Sequence, residues 1–479
     1  MSTNGHEAPN GLDELKALSK IIQDAVSSIE SVLESKNMTF PSPYTRICPK
    51  SEAPRMLPEV NKACALAIAA AYQLINDLRH PTGTIATVAM QVRYDLSSSL
   101  AIAERANVAE AIREAGTKGA HVNDIARASN IDPSKLARVL RVLATNHIFV
   151  EVSPDVFAHN RISSCLDTGK SVKDLVQNRE TKPIGTLGAT AVVGHCTDEG
   201  LRSGALLQEA LFNPKTAHSE ELEETAFNYA FNTKLSFWDW CEQPENKLYH
   251  TRFSVTMAVG KSASDSDTIW KAFDWTGLKE GSLVVDVGGG MGGMSAALAQ
   301  EYPHLRFVVQ DRAQVIKAGA EFWNRTVPGA LESGRATLQA HDFFEPQPVR
   351  DAAVFFMRSI LHDWADKFCL QILRQLRAAA MPETRLVILD SLVSYACAEE
   401  ELDGIPGAAR PAPPAPLLPN MGHANIVNYY KDIHMLEMLN GRERTVTHLR
   451  ELMQQTGWKL VQVQHGVQSI TGMVVGIPV

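Results

Sequence analysis

At 479 residues the chain is too long for one ordinary core, so two domains plus an extension are expected. Hydrophobic residues at 45% and charged residues at 21% make a globular balance and exclude a disordered chain. The net charge of −8 offers no basic footprint for nucleic acid or an anionic membrane as the main partner.

Seven cysteines are scattered with no CxxC pair, as in the reduced thiols of an intracellular protein. Glu7 precedes any apolar run, so no signal peptide is expected. The longest alanine-rich apolar stretch, Ala63 to Tyr72, is half a membrane span. The sequence therefore predicts a soluble, cytoplasmic protein.

Residues 1–11 are polar and expected to be loose. Leu15, Leu18, Ile22, Ile29 and Leu33 then recur at helical spacing, which predicts an amphipathic helix from Leu12. Pro41 to Pro58 breaks that pattern, so residues 1–58 read as an N-terminal extension. Helices are predicted at Glu59–Leu78 and at Asn107–Ala115, the latter closed by Gly116.

Residues 121–166 read as helix, turn, helix and hairpin, with Asp132-Pro-Ser-Lys opening the second helix. That order is a winged-helix layout. Its exposed helix offers only Lys135, Arg138 and Arg141, so packing or dimerisation is favoured over DNA reading. Residues 167–280 are mostly helical, with an aromatic stripe of Phe227, Tyr229, Phe231, Phe237, Trp238 and Trp240. Such a stripe builds a core or lines a pocket.

From Gly281 the pattern changes to strands alternating with helices. Leu283–Val287, Arg306–Gln310, Ala336–Ala340, Ala352–Met357 and Arg385–Leu389 are short apolar runs rich in β-branched residues. They predict an α/β, doubly wound, largely parallel Rossmann-like sheet. Lys459–Gln464 and Ile470–Ile477 predict a terminal antiparallel hairpin. Between Cys397 and Asn420 six prolines follow a run of glutamates, which predicts a mobile insertion loop without regular structure.

Chemistry concentrates at the ends of these strands. In Val284-Val-Asp-Val-Gly-Gly-Gly-Met-Gly-Gly293 a strand runs into glycines that let the backbone turn tightly against a ligand, and a helix begins near Met294. Gly288, Gly290 and Gly293 also satisfy the dinucleotide fingerprint, so they do not choose between NAD and another adenosine cofactor. Asp311, twenty-one residues after Gly290, stands where a carboxylate accepts two hydrogen bonds from a ribose diol. Asp286 favours S-adenosyl-L-methionine: an acid there helps hold an ammonium group and would repel a pyrophosphate. Asp342 with Phe343, after the third strand, either brackets an adenine or caps the strand end.

The fourth strand leads into Phe356-Met-Arg-Ser-Ile-Leu-His-Asp-Trp364. Taken in order, Val-Asp-Val-Gly-Gly-Gly, His-Asp-Phe-Phe-Glu-Pro, Leu-His-Asp-Trp and Asn440-Gly-Arg-Glu-Arg-Thr445 resemble the motifs of plant caffeate-type S-adenosylmethionine-dependent O-methyltransferases. The likeness is closest to fungal members acting on aromatic polyketides and phenols. It implies an enzyme that methylates a phenolic hydroxyl, with Gly288 and Gly290 around the methionine part of the cofactor, Asp311 at the ribose, and Asp342 and Phe343 at the adenine. Arg358 stands where plant members have a cofactor-contacting lysine. His362 matches the general base, flanked by Asp390 and Glu443, where plant members commonly have Glu at the first. The family also implies a homodimer, with residues 59–259 as a helical, winged-helix dimerisation and substrate-pocket domain and 260–479 as the catalytic domain. The apolar stripe from Leu12 to Leu33, too large for a small module to bury, points the same way.

The base assignment also follows from chemistry. A phenol (pKa ~10) gives its proton to a histidine (~6.5) at a cost of roughly 5 kcal/mol, which a nearby positive charge and carboxylates beside the imidazolium reduce. His362 sits at the carboxyl edge of the sheet, where ligands bind in such folds. His423 and His434 lack helical pairing and no acidic cluster adjoins the glycine loop, so no metal is expected. Two other readings remain open from the residues alone. An NAD(P)-dependent oxidoreductase leaves Asp286 and Leu-His-Asp-Trp unexplained, and a winged-helix regulator with a ligand-sensing half needs DNA binding from an acidic chain.

Overall fold

In a computed structural model, residues 11–90, 95–263, 269–399, 404–466 and 471–479 are described. Of the loose stretch expected at 1–11, residues 1–10 lie outside them and Gly11 already begins a helix; residues 467–470, which take in the expected hairpin turn and Ile470, lie outside them too. The chain forms two units. One comprises Met1–Ala217, Thr225–Ala263 and Pro413–Ala424; the other comprises His218–Glu224, Ser264–Ala412 and Asn425–Val479.

In the first unit, α1 (Gly11–Ser35) packs along α2 (Pro58–Leu78), which opens with a proline whose missing N–H costs a helix start nothing. Leu18 of α1 is buried against Ala69 and Ala70, small residues that admit a close approach. Leu18, Ala25 and Leu33 are thus buried within the chain itself, and the stripe on α1 does not by itself demand a partner. Leu12 and Val26 of α1 are exposed, as are Ile68, Ile75 and Leu78 of α2 and Ile85, Val88 and Met90 of α3 (Pro81–Met90). Helix α3 was not predicted; Pro81 begins a helix there instead of only ending one.

Helices α4 (Leu96–Arg105) and α5 (Val108–Ala115) precede the winged-helix unit. That unit comprises β1 (Ala120–His121), α6 (Val122–Ser129), α7 (Pro133–Thr145), β2 (Val150–Ser153) and β3 (Val156–Ala158). The side chain of Asp132 caps α7 by accepting the Lys135 N–H at 3.0 Å. The strands form an antiparallel sheet in the order β1-β3-β2; β1, only two residues long, left no pattern to read. Arg141 is spent on Glu151 and Asp155 of the wing, each at 2.8 Å. The aromatic stripe is core: Phe227, Phe237 and Trp240 are buried and meet edge to face.

The second unit holds a seven-stranded sheet in the order β6-β5-β4-β7-β8-β10-β9. Its strands are β4 (Leu283–Val287), β5 (Arg306–Asp311), β6 (Ala336–Ala340), β7 (Val354–Arg358), β8 (Arg385–Ser391), β9 (Trp458–His465) and β10 (Thr471–Pro478). The first five are parallel, and β10 pairs antiparallel with both β8 and β9. Neighbouring residues of one strand enter opposite cores: Val285, Phe355 and Ile388 on one face, Val284, Phe356 and Val387 on the other. Covering both faces is what makes these strands read as unbroken apolar runs. Helices α8 (Gly293–Glu301) and α9 (Ala313–Thr326) serve the second face, and α10 (Asp366–Ala379) and α12 (Val446–Gln455) the first. Helix α11 (Ile426–Leu439) leads into the last motif.

Among the described residues the Pro-rich segment is irregular up to Asn420, as expected, but those residues are fastened down. In the second unit Val463 donates its N–H to Pro406 O at 2.9 Å, and a Cβ on Gly407 would sit 2.0 Å from Val463 O. In the first unit Leu417 is buried with Leu18, and His423 stacks on Tyr72 at 3.4 Å. Among the described residues no helix is long and apolar enough to cross a membrane.

Candidate active site

Two groups of side chains meet the carboxyl edge of the large sheet. The first surrounds the turn after β4, where Gly288, Gly290 and Gly292 adopt φ values of 70°, 63° and 83°, a region closed to most residues. Close packing adds a second constraint. A Cβ on Gly288 would lie 2.5 Å from Ile360 Cδ1 and 3.6 Å from the Phe343 ring, and one on Gly289 would strike the Asp286 carboxylate. Asp286 is buried beneath the turn and accepts a hydrogen bond from Ser295 Oγ of α8 at 2.5 Å. Asp311, at the end of β5, accepts the Gly290 N–H at 2.8 Å through Oδ2 and the Arg312 N–H at 2.8 Å through Oδ1.

The third glycine that the turn requires is Gly292, not Gly293. A Cβ on Gly292 would lie 2.4 Å from Trp323 Nε1, whose N–H donates to Met291 O, whereas Gly293 begins α8 with open space around it. Asp342 is exposed after β6 and accepts the Phe344 N–H at 3.0 Å. Phe343 is partly buried edge-on to Trp364. Arg358 ends β7, partly buried.

The second group centres on His362, in a 3₁₀ turn after β7 and 8% exposed. Its Nδ1 is 2.9 Å from Glu443 Oε1, and its Nε2 is 3.4 Å from Asp363 Oδ1. The Glu443 bond selects the tautomer and leaves Nε2 as the proton-accepting atom. Burial and the Lys431 ammonium press the imidazole pKa down, but Asp363 and Glu443 outweigh them and raise it to about 9. Burial would raise Glu443, yet His362 and Lys431 hold it at about 2. Asp390, at the end of β8, is pushed up to about 6 by burial, against the pull of His362. Its buried Oδ1 has no hydrogen-bond partner, so Asp390 neighbours His362 without bonding to it.

The chain segment after α11 assembles this centre residue by residue. Asn440 ends the helix with φ 52°. Gly441 is needed for close approach, since a Cβ there would lie 2.3 Å from His362 O. Arg442 donates its N–H to that same oxygen at 2.8 Å. Glu443 holds the imidazole. Arg444 is buried and donates to Leu361 O and Trp364 O, both at 2.7 Å, and to Asp366 at 2.8 Å. Thr445 caps α12 on the His448 N–H.

Sequence reading missed Lys431, whose Nζ is 2.9 Å from Glu443 Oε1 and 2.9 Å from Ser391 Oγ. Its one signal was a charge on α11 twelve residues before Glu443. Asp363 stood in the quoted motif without a role. Atoms of His362, Asp390 and Glu443 also lie within 4.8 Å of one another, a grouping that sequence spacing hid. The Lys431 ammonium already holds the cationic position on Glu443.

Known proteins resemble this chain in sequence and fold. A family model described as an O-methyltransferase domain matches residues 215–403. An O-methyltransferase of Armillaria gallica is 42% identical across 94% of this chain and 95% of its own. A 4-O-methyltransferase of Phanerochaete chrysosporium is 41% identical across 96% and 97%. The solved O-methyltransferase NcsB1 from neocarzinostatin biosynthesis, in complex with S-adenosylmethionine and 2-hydroxy-5-methyl naphthoic acid, has the same fold. Its TM-score is 0.58 at 21% identity, covering 82% of this chain and 98% of that one. The chain belongs to the S-adenosylmethionine-dependent O-methyltransferase family.

Proposed function

We propose that the enzyme methylates a phenolic hydroxyl of an aromatic acceptor, with His362 as general base. The carrying observation is the buried His362–Glu443 pair at the carboxyl edge of the sheet, with Nε2 left to take a proton. NcsB1, solved with a hydroxynaphthoic acid, supports a phenolic acceptor. Incubation with labelled S-adenosylmethionine and a panel of phenols and hydroxyanthraquinones is the test; label transfer to none of them overturns the reading.

The residues around the glycine turn fit the cofactor: buried Asp286 lies beneath the turn, and the Asp311 carboxylate ends β5 beside Gly290. Bound there, S-adenosylmethionine supplies a methyl group on a positively charged sulfur. Gly288 and Gly290 line the methionine part, and Asp286 contributes negative charge from beneath the turn. Asp311 receives the ribose diol with the lone pairs that Gly290 and Arg312 leave free. Asp342 and Phe343 bracket the adenine, and Arg358 borders the site from β7. His362 Nε2 draws the proton from the acceptor hydroxyl, and Glu443 and Asp363 stabilise the resulting imidazolium. Asp390 adds its charge from β8, above the pH at which it ionises.

Asp311→Ala should remove most of the affinity for S-adenosylmethionine and loosen the turn, since Gly290 loses its acceptor. Calorimetry reads both the cofactor and NADH: unchanged cofactor affinity counts against Asp311, and tight NADH binding against the cofactor assignment.

The exposed apolar side chains of α2 and α3 support a homodimer through the first unit. Light scattering at micromolar concentration should give about twice 52.4 kDa; a monomer refutes this. None of the seven cysteines forms a disulfide, which fits a cytoplasmic enzyme.

A further inference from the structure

Glu443 Oε1 carries two cationic partners at the same distance. His362 Nδ1 and Lys431 Nζ each lie 2.9 Å from it, and Glu443 is buried. Ser391 Oγ, 2.9 Å from Lys431 Nζ, holds the ammonium in that position from the end of β8. The carboxylate oxygen is therefore divided. Whatever attraction it gives the ammonium is unavailable to the imidazolium, and the ammonium also repels a charged imidazole directly.

We propose that Lys431 is a positioning residue for the base, which sets how firmly His362 holds its proton by sharing Glu443 Oε1 with it. The inference rests on the reading of His362 as the base. The other charged groups facing the imidazole all pull the opposite way. Asp363 comes from its own turn, Asp390 from β8, and Glu443 from the segment after α11. Lys431 is the opposing charge that α11 brings to this cluster, and burial is the other influence favouring neutral imidazole. Without Lys431 the base would stay protonated to higher pH, and acceptors would meet a histidine with no room for their proton.

The consequence is a selection by acidity. A tightly protonated histidine leaves only acceptors that ionise by themselves, so Lys431 extends the enzyme toward weakly acidic phenols.

The test uses the full-length enzyme with Lys431→Gln, which is one carbon shorter but keeps N–H donors without the charge, and Lys431→Arg, which keeps the charge. The His362 imidazole is titrated by NMR, assigned by its loss in His362→Ala. Lys431→Gln should titrate roughly one pH unit higher, which is about tenfold in the neutral fraction near pH 7. Lys431→Arg should titrate close to the parent. The pH profile of kcat/KM for a weakly acidic phenol should move up by the same amount, with activity recovered at high pH. An unmoved His362 titration in folded Lys431→Gln overturns the inference, whatever happens to the rate. If the titration moves but the kinetic profile does not, Lys431 still sets the proton affinity, and the assignment of His362 as base fails instead.

Discussion

Replacing His362 with alanine should lower methyl transfer by about 10²–10⁴-fold while leaving affinity for S-adenosylmethionine nearly unchanged. The side chain faces Asp363, Asp390 and Glu443, and the glycine turn is built by other residues. The loss should shrink as the acceptor becomes more acidic, because an acceptor already ionised needs no base. The pH dependence has a definite sign. With its pKa raised to about 9, the imidazole of the free enzyme is protonated at neutral pH, so kcat/KM should rise with pH toward 9. A positive charge bound nearby moves that inflection down. Rates across pH for phenols of graded pKa check this. Equal impairment with acidic and weakly acidic phenols would make His362 a group that positions the acceptor and nothing more.

Arg444→Met should destabilise the second unit by ~2–4 kcal/mol. The guanidinium is buried, and its loss removes the 2.7 Å donors to Leu361 O and Trp364 O, leaving them the weak Cys369 Sγ donor and, for Leu361 O, the Trp364 N–H at 3.2 Å. Asp366, held well below the usual carboxylate range by His448 and Arg444 despite its burial, would keep His448 and the longer Arg442 contact at 3.5 Å. The effect stays below the fully buried limit because the Asp366 side chain is 30% exposed. The turn carrying His362 is fixed by those two carbonyls, so kcat should fall with stability. Urea unfolding followed by tryptophan fluorescence measures the change; a loss under ~0.5 kcal/mol would show the turn held by other contacts.

The catalytic sheet was legible because apolar runs and glycine turns are local signals. Its strands start and end within about two residues of the predicted bounds. Helix α3 was hidden because Pro81 reads equally as a stop or a start. The apolar stripe on α1 was visible, but its partner was not: Ala69 and Ala70 look like ordinary helix formers until their smallness is used. At the site, strand-end residues announced themselves by position. Lys431 and Gly441 did not, because their roles exist only across the 81 residues separating His362 from Glu443. Gly441 has an ordinary backbone conformation and is required by a neighbour's carbonyl, which no local pattern encodes.

The strand order has a consequence for how such an enzyme changes. Along the sheet edge the proposed cofactor residues Asp342, Asp311 and Gly288 follow β6, β5 and β4, with Arg358 beside them on β7, and the proposed acid–base residues His362 and Asp390 stand after β7 and on β8. Donor and acceptor chemistry thus occupy adjoining stretches of one edge, with β4 and β7 as the border. A lineage can alter what it methylates by drift on one side of that border while the other side stays untouched. The residues at the border, Gly288 packed against Ile360 and Arg358 on β7, tie the two histories together.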